Sequence, residues 1–287
     1  MKQNKTAVNL PTLRHPPDAI AIDLDGTLLN NESTLSERNF KALEKCLAGG
    51  IPVVIATSRP ARSVRRLVGT EIMSRCSLVL QNGAIGIGNP PLSGHIKEKI
   101  ATELARDIIT TISEIEPEIR ITIELEGYGF GTNHPRNPDE LWEVNSATPD
   151  MQLSLEKALT DEPTKIAAGG LNRKISHIAN AISKRFGNDI SVVPSNEMTF
   201  LNITSKTATK QDTLRRLLDS QNTSLNNVIA FGDDVPDIDM LSACGISIAV
   251  ANAVPEVKEV ADYCTASNDD DGVAIVLERI IEQSHSQ

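Results

Sequence analysis

The chain has 287 residues, more than one typical domain and less than two large ones, so a single core carrying a second module fits its length. Apolar residues make up 40% and charged residues 23%, which excludes a collagen-like, coiled-coil or mostly disordered chain. The 28 Lys plus Arg against 38 Asp plus Glu give a formal charge of -10. Such a field repels a polyanion, so no nucleic-acid partner is expected, whereas a small phosphorylated metabolite is compatible with locally concentrated positive charge. No apolar run approaches the roughly 20 residues of a membrane span. Met1–Pro17 lacks an apolar leader core and reads as a loose N-terminal tail, so no membrane partner and a cytoplasmic location are expected. Cys46, Cys76, Cys244 and Cys264 form no C-x-x-C pair and suit reduced, buried thiols.

In chain order, Ala19–Leu24 is a short β-branched run, the pattern of a strand buried on both faces of a parallel sheet. Ser36 then caps a helix with Phe40, Leu43 and Leu47 on one face, which Gly49-Gly50 stops. Pro52–Ala56 is a second buried strand, and Thr57-Ser58-Arg59-Pro60 opens another helix. The middle of the chain changes texture. Ile96, Ile100, Leu104, Ile108, Ile112 and Ile115 form a helical stripe, Ile119–Leu125 alternates with period 2, and Ile175, Ile178 and Ile182 mark a second helix. A second α/β block follows, with a helix over Thr209–Asp219, strands at Val228–Phe231 and Ile246–Val250, and helices near Pro236, Pro255–Ala261 and Gly272–Ile281. The expected architecture is a discontinuous α/β core with a Rossmann-like parallel sheet, residues 18–85 and 205–287, into which an α+β module of residues 86–204 is inserted. The two crossings form a natural hinge.

Reactive groups gather at the carboxyl ends of the core strands, where open α/β sheets bind ligands. Asp23 and Asp25 end the first strand, Thr57 ends the second, Lys210 opens a helix, and Asp233, Asp234 and Asp237 follow Val228–Phe231. Carboxylates crowded in one crevice repel unless a cation lies among them. An all-oxygen set of Asp23, Asp25 and Asp233, with Asp234 or Asp237 behind, suits Mg²⁺ better than zinc. Gly26 permits a sharp turn that exposes backbone N–H groups to phosphate oxygens, while Thr57 offers a hydroxyl and Lys210 a positive charge. Thr57 could instead cap the following helix, a role that Ser58 could fill equally well, and Asp237 could cap the one near Pro236. Lys206 is a rival to Lys210, but Thr209-Lys210-Gln211-Asp212 resembles a capping box, which puts Lys210 in a first helical turn, where it gains by facing an anion. His134 sits in a loop and reads as solvated.

In order and spacing, Asp23-Leu24-Asp25-Gly26-Thr27, Ile55-Ala56-Thr57, Lys210 and Gly232-Asp233-Asp234-Val235-Pro236-Asp237 resemble the four motifs of the haloacid dehalogenase superfamily. Asn82-Gly83-Ala84, the size of the insert, the Lys210-to-Gly232 spacing and Ala251-Asn252-Ala253 with Val257-Lys258 narrow the resemblance to its Cof-type phosphatases, which carry a large α/β cap. The resemblance covers most of residues 18–283, and only its core motifs are specific. It implies Asp23 as nucleophile of an aspartyl-phosphate and Asp25 as acid and base, with the Asp25 backbone carbonyl completing a Mg²⁺ shell. It also implies small phosphate monoesters, phosphosugars above all, as substrates, and it puts Asn82 and Asn252 on the substrate side, a turn role staying open for Asn252. Ser58 stands where the family has Gly, and Pro236 where it has Asn; Asp234 could supply the bond that Pro236 cannot. A phosphomutase sharing the intermediate and a non-catalytic phosphometabolite sensor are the rival readings.

Overall fold

The first β-branched run is β1 (Ala19–Ile22), buried at every position as a strand covered on both faces must be. The structure, a computed structural model, describes residues 13, 15–195 and 198–285. The tail expected over Met1–Pro17 therefore lies mostly outside the described residues. After β1 come α1 (Glu37–Ala48), β2 (Val53–Ala56), α2 (Ala61–Arg75), β3 (Ser77–Leu80), β4 (Ile85–Ile87) and β5 (His95–Lys97). The middle contributes α3 (Thr102–Ile115), β6 (Arg120–Glu124), β7 (Phe130–Thr132), α4 (Pro138–Glu140), β8 (Gln152–Ser154), α5 (Leu155–Ala158), β9 (Lys165–Gly169), α6 (Ser176–Phe186), β10 (Ile190–Ser195) and β11 (Phe200–Ser205). The chain finishes with α7 (Lys210–Asp219), β12 (Val228–Gly232), α8 (Ile238–Ala243), β13 (Ile246–Ala249), α9 (Pro255–Val260), β14 (Tyr263–Cys264) and α10 (Gly272–His285). Ser36 caps α1 by accepting from the Asn39 N–H at 3.1 Å.

The chain divides into two compact units. The first contains the described residues up to Ser58, then Val64–Ile96 and the chain from Lys210 onward; the second contains Arg59–Ser63 and Lys97–Thr209. Beside the expected 86 and 204, the long insert of this division runs from Lys97 to Thr209. The reason is that β4 pairs antiparallel with β3, Leu78 opposite Ile87, and so continues the first sheet. Ile96 likewise belongs to the first core and lies on β5, not on the helical stripe that its spacing from Ile100 suggested. That stripe begins only with α3, where Ala105, Ile108 and Ile112 are buried.

In the first unit the sheet runs β14-β13-β12-β1-β2-β3-β4-β5, parallel from β14 through β3. Strand order reverses at β1, flanked by β12 and β2, and such a switch point opens a crevice at the carboxyl ends of these strands. Leu214, Leu217 and Leu218 of α7 and Met240 and Leu241 of α8 pack into its core. The second unit is an α+β layer: a sheet ordered β10-β11-β9-β6-β7-β8, antiparallel except for β7 with β8, packed against α3 and α6. On β6, Ile121 and Ile123 enter that core while Arg120 is exposed, the period-2 alternation of a sheet with one wet face.

One buried ion pair braces the second unit. Arg62 donates to both carboxylate oxygens of Glu124 at 2.7 and 2.8 Å and to the Asn145 carbonyl at 2.9 Å, and its guanidinium lies 4.7 Å from the centre of the Phe130 ring. Truncating one partner strands the other charge out of water. Glu124→Ala is expected to cost about 3–5 kcal/mol, read as a lowered denaturation midpoint.

Burial pushes the thiols of Cys46, Cys76 and Cys244 up to about 12 each, because a thiolate loses its hydration there. At pH 8 these three should stay unreactive to a disulfide reagent in the folded protein and react on unfolding; rapid native modification of any of them would contradict this packing.

Candidate active site

The carboxyl end of β1 is fastened to its neighbour before any functional group is placed: the Asp23 N–H donates to the Phe231 carbonyl of β12 at 3.1 Å. The chain then turns through Gly26, whose φ is +77°. A Cβ there would stand 2.4 Å from Oδ2 of Asp233, so the turn demands glycine both for its left-handed backbone and for the close approach of that carboxylate. Thr27, buried behind the turn, donates its hydroxyl to Oδ1 of Asp233 at 2.6 Å. On the β12 side, a Cβ on Gly232 would stand 2.6 Å from the Cβ of Asp237, so glycine is needed there too.

These constraints bring Asp23, Asp233 and Asp237 together, each offering a carboxylate oxygen within 4.8 Å of the others. Lys210, at the start of α7, donates to Oδ1 of Asp23 and to Oδ1 of Asp237, both at 2.6 Å and both almost fully buried. Burial holds the Asp23 carboxyl well above the usual carboxylate range, and the charges of Asp237 and Asp233 add to that while Lys210 opposes it. Burial also raises Asp233, to about 7; the Thr27 bond opposes this and Asp237 and Asp234 reinforce it. Desolvation would depress Lys210, yet Asp23 and Asp237 outweigh it and hold its ammonium above the usual lysine range. Three carboxylates and one ammonium leave a pocket short of positive charge, and their hard oxygens fit a divalent cation.

Asp237 does more than cap a helix. Its second oxygen accepts from the N–H groups of Asp233 and Asp234 at 3.1 and 3.2 Å, while the first takes Lys210, so it braces the whole loop. Asp234 does not join the cluster: it is exposed and accepts from the Val235 N–H at 2.8 Å, capping the short 3-10 turn of Val235–Asp237. A one-turn helix start holds the Asp234 side chain, which was expected to support a metal from behind. The Asp25 carboxylate is half-buried and outside the three-carboxylate cluster.

Thr57 is fully buried at the end of β2 and its N–H donates to the Val79 carbonyl at 2.8 Å. Asn82 follows β3 and donates its N–H to the Thr57 carbonyl at 3.1 Å. The Asn252 amide is engaged at both ends, donating to the Gly26 carbonyl at 2.7 Å and accepting from the Asn268 N–H at 2.9 Å, so it ties the turn after β13 to the Gly26 loop. The bracing by Thr27 and Asn268 escaped the sequence reading: the Thr27 hydroxyl reaches Asp233, 206 residues away, and the Asn268 amide donates to the Leu29 carbonyl, 239 away, so no local pattern announces either.

Comparison with known proteins identifies the family. Residues 20–277 match the family model of haloacid dehalogenase-like hydrolases. A Haemophilus influenzae protein is 31% identical over 265 residues, 91% of this chain and 97% of its own. Among named relatives in Bacillus subtilis, Phosphatase YwpJ is 29% identical over 91% of this chain and 99% of its own. Another, the 5-amino-6-(5-phospho-D-ribitylamino)uracil phosphatase YwtE, is 26% identical over 93% and 99%. A haloacid dehalogenase-like hydrolase from Bacteroides thetaiotaomicron superposes with a TM-score of 0.78 at 26% identity, covering 92% of this chain and 99% of that one. TM0651 from Thermotoga maritima gives 0.76 at 28% identity over 92% and 97%. A parallel sheet with acidic loops at its switch point, interrupted by an α+β insert, defines a two-unit hydrolase. The chain belongs to the haloacid dehalogenase-like hydrolases, in their Cof-type branch of phosphatases with an inserted cap.

Gly26→Ala should expel Asp233 from its place. The expected result is a loss of at least a hundredfold in phosphatase turnover, together with about 1–3 kcal/mol of stability for a left-handed alanine facing a clash. Steady-state kinetics and a thermal melt measure both.

Proposed function

We propose that the chain is a cytoplasmic Mg²⁺-dependent phosphatase of small polyhydroxylated monoesters, phosphosugars foremost, acting through an aspartyl-phosphate on Asp23. The observation that carries this reading is the gathering of the Asp23, Asp233 and Asp237 oxygens within 4.8 Å around the ammonium of Lys210. Asp23, Asp233 and the Asp25 carbonyl would hold the ion, with Asp237 behind them. When bound, Mg²⁺ supplies the positive charge that lets a phosphate dianion enter an acidic pocket.

An Asp23 carboxylate oxygen attacks phosphorus and the bond to the ester oxygen breaks. Asp25 gives its proton to that oxygen, and the alcohol leaves. Asp25 then takes a proton from water, whose oxygen attacks the aspartyl-phosphate; the P–O bond to Asp23 breaks, releasing inorganic phosphate and restoring both carboxyls. Gly26, Thr57 and Lys210 orient the phosphoryl oxygens through N–H, hydroxyl and ammonium donors. The first unit is the catalytic core. A polyol leaving group is supported by the name of YwtE, whose stated substrate bears a ribityl phosphate.

Phosphate release from a panel of sugar phosphates tests the reading. Activity should vanish with EDTA, return with Mg²⁺, and fall by at least a thousandfold in a folded Asp23→Asn variant; equal rates for the variant and wild type would reject the mechanism.

A further inference from the structure

Asn82 carries two costs that its local structure does not explain. Its backbone is left-handed, with φ of 58°, directly after Gln81 at 53°. Its side chain is buried, 6% exposed, with both Nδ2 and Oδ1 lacking a hydrogen-bond partner. Among the described residues no other side chain leaves both ends of a buried amide unpaired. Asparagine often occupies left-handed turns because its short side chain bonds locally, but this one makes no such bond. A buried amide with no protein partner calls for a reason, and a bound group that completes it is one.

The position fits that role. The Asn82 N–H donates to the carbonyl of Thr57 at 3.1 Å, and the next residue, Gly83, accepts the Thr213 hydroxyl from the first turn of α7 at 2.7 Å, one turn beyond Lys210. The turn is therefore bonded to both elements that bring phosphate-orienting groups. Thr57 and Lys210 are enclosed as Asn82 is, at 0% and 5% exposed, and the backbone bond to Thr57 sets Asn82 beside the carboxyl end of β2.

The chemistry of the amide selects the ligand. A phosphoryl dianion only accepts hydrogen bonds and would leave Oδ1 unpaired. Two neighbouring hydroxyls satisfy both ends, one accepting from Nδ2 and the other donating to Oδ1. We propose that Asn82 is a specificity-determining residue whose carboxamide reads a vicinal diol on the leaving group; this deepens the phosphatase reading above and rests on it.

The test compares kcat/KM for ribitol 5-phosphate with that for p-nitrophenyl phosphate, which has no aliphatic hydroxyl. Asn82→Gly suits the left-handed backbone and should melt no lower than wild type. The ratio of the two kcat/KM values should fall about tenfold or more, as expected for two lost neutral hydrogen bonds, mostly through KM for the polyol ester. Asn82→Asp keeps the shape and removes the donor; its added charge acts on both phosphates and cancels in the ratio, which should again fall. An unchanged ratio, or a parallel loss on both esters with a lower melting temperature, would overturn the proposal in favour of a bound water or a purely structural turn. Aryl ester hydrolysis without any polyol ester hydrolysis would sink the proposal and spare the phosphatase reading. Absence of Asp23-dependent hydrolysis of every ester would sink both.

Discussion

The ammonium of Lys210, wedged between Asp23 and Asp237, is the contact on which the site depends. Burying two carboxylates beside a third is unfavourable unless opposite charge is supplied at close range. One lysine against Asp23, Asp233 and Asp237 leaves two negative charges, the complement of a divalent ion. Lys210 accepts an unfavourable place for this, since a cation in the first turn of a helix opposes the macrodipole. Two buried carboxylates at 2.6 Å outweigh that dipole, and Asp212 in the same turn compensates it further.

Sheet topology supplies the convergence. Because β1 pairs in parallel with both β12 and β2, the loops leaving these strands open at the same edge, and the reversal of connection direction at β1 keeps helices from filling the space above it. What remains is close packing of loop against loop. Gly26 admits Asp233, Gly232 admits Asp237, and Thr27 and Asn252 hold the two sides by hydrogen bonds. The precision of the site thus comes from small residues on rigid strand ends.

Much of this was legible in the sequence because it depends on local rules. Buried strands read as β-branched runs, Ser36 reads as a cap, and the acidic residues stand directly after strands whose order reveals the sheet. Features built from distant partners were not legible. Arg62 and Glu124 lie 62 residues apart, Thr27 and Asp233 lie 206 apart, and Asn252 lies 226 from Gly26. Ile96 misled for a physical reason: its four-residue spacing from Ile100 satisfies a helical period, but the chain at Ile96 is extended and packs its side chain into the first core. Asp234 and Asp237 could not be separated by composition either; the 3-10 turn between them turns one outward as a cap and the other inward to Lys210.

The two departures from the family pattern show how such a site tolerates substitution. Pro236 lacks an N–H and an amide, yet it stands in the first turn of a short helix, where an N–H has no intrahelical acceptor and a fixed φ is an advantage. The loop around it is held instead by the Asp237 carboxylate, which takes the N–H groups of Asp233 and Asp234. Ser58 stands where the resemblance would put glycine, but its backbone is not left-handed, so nothing in its conformation requires the smaller residue. Ser58 and Pro236 stand where the backbone is indifferent, whereas at Gly26 and Gly232 a single Cβ would strike Asp233 or Asp237. In this pocket the demand for glycine therefore comes from closeness to the carboxylates rather than from a place in a motif.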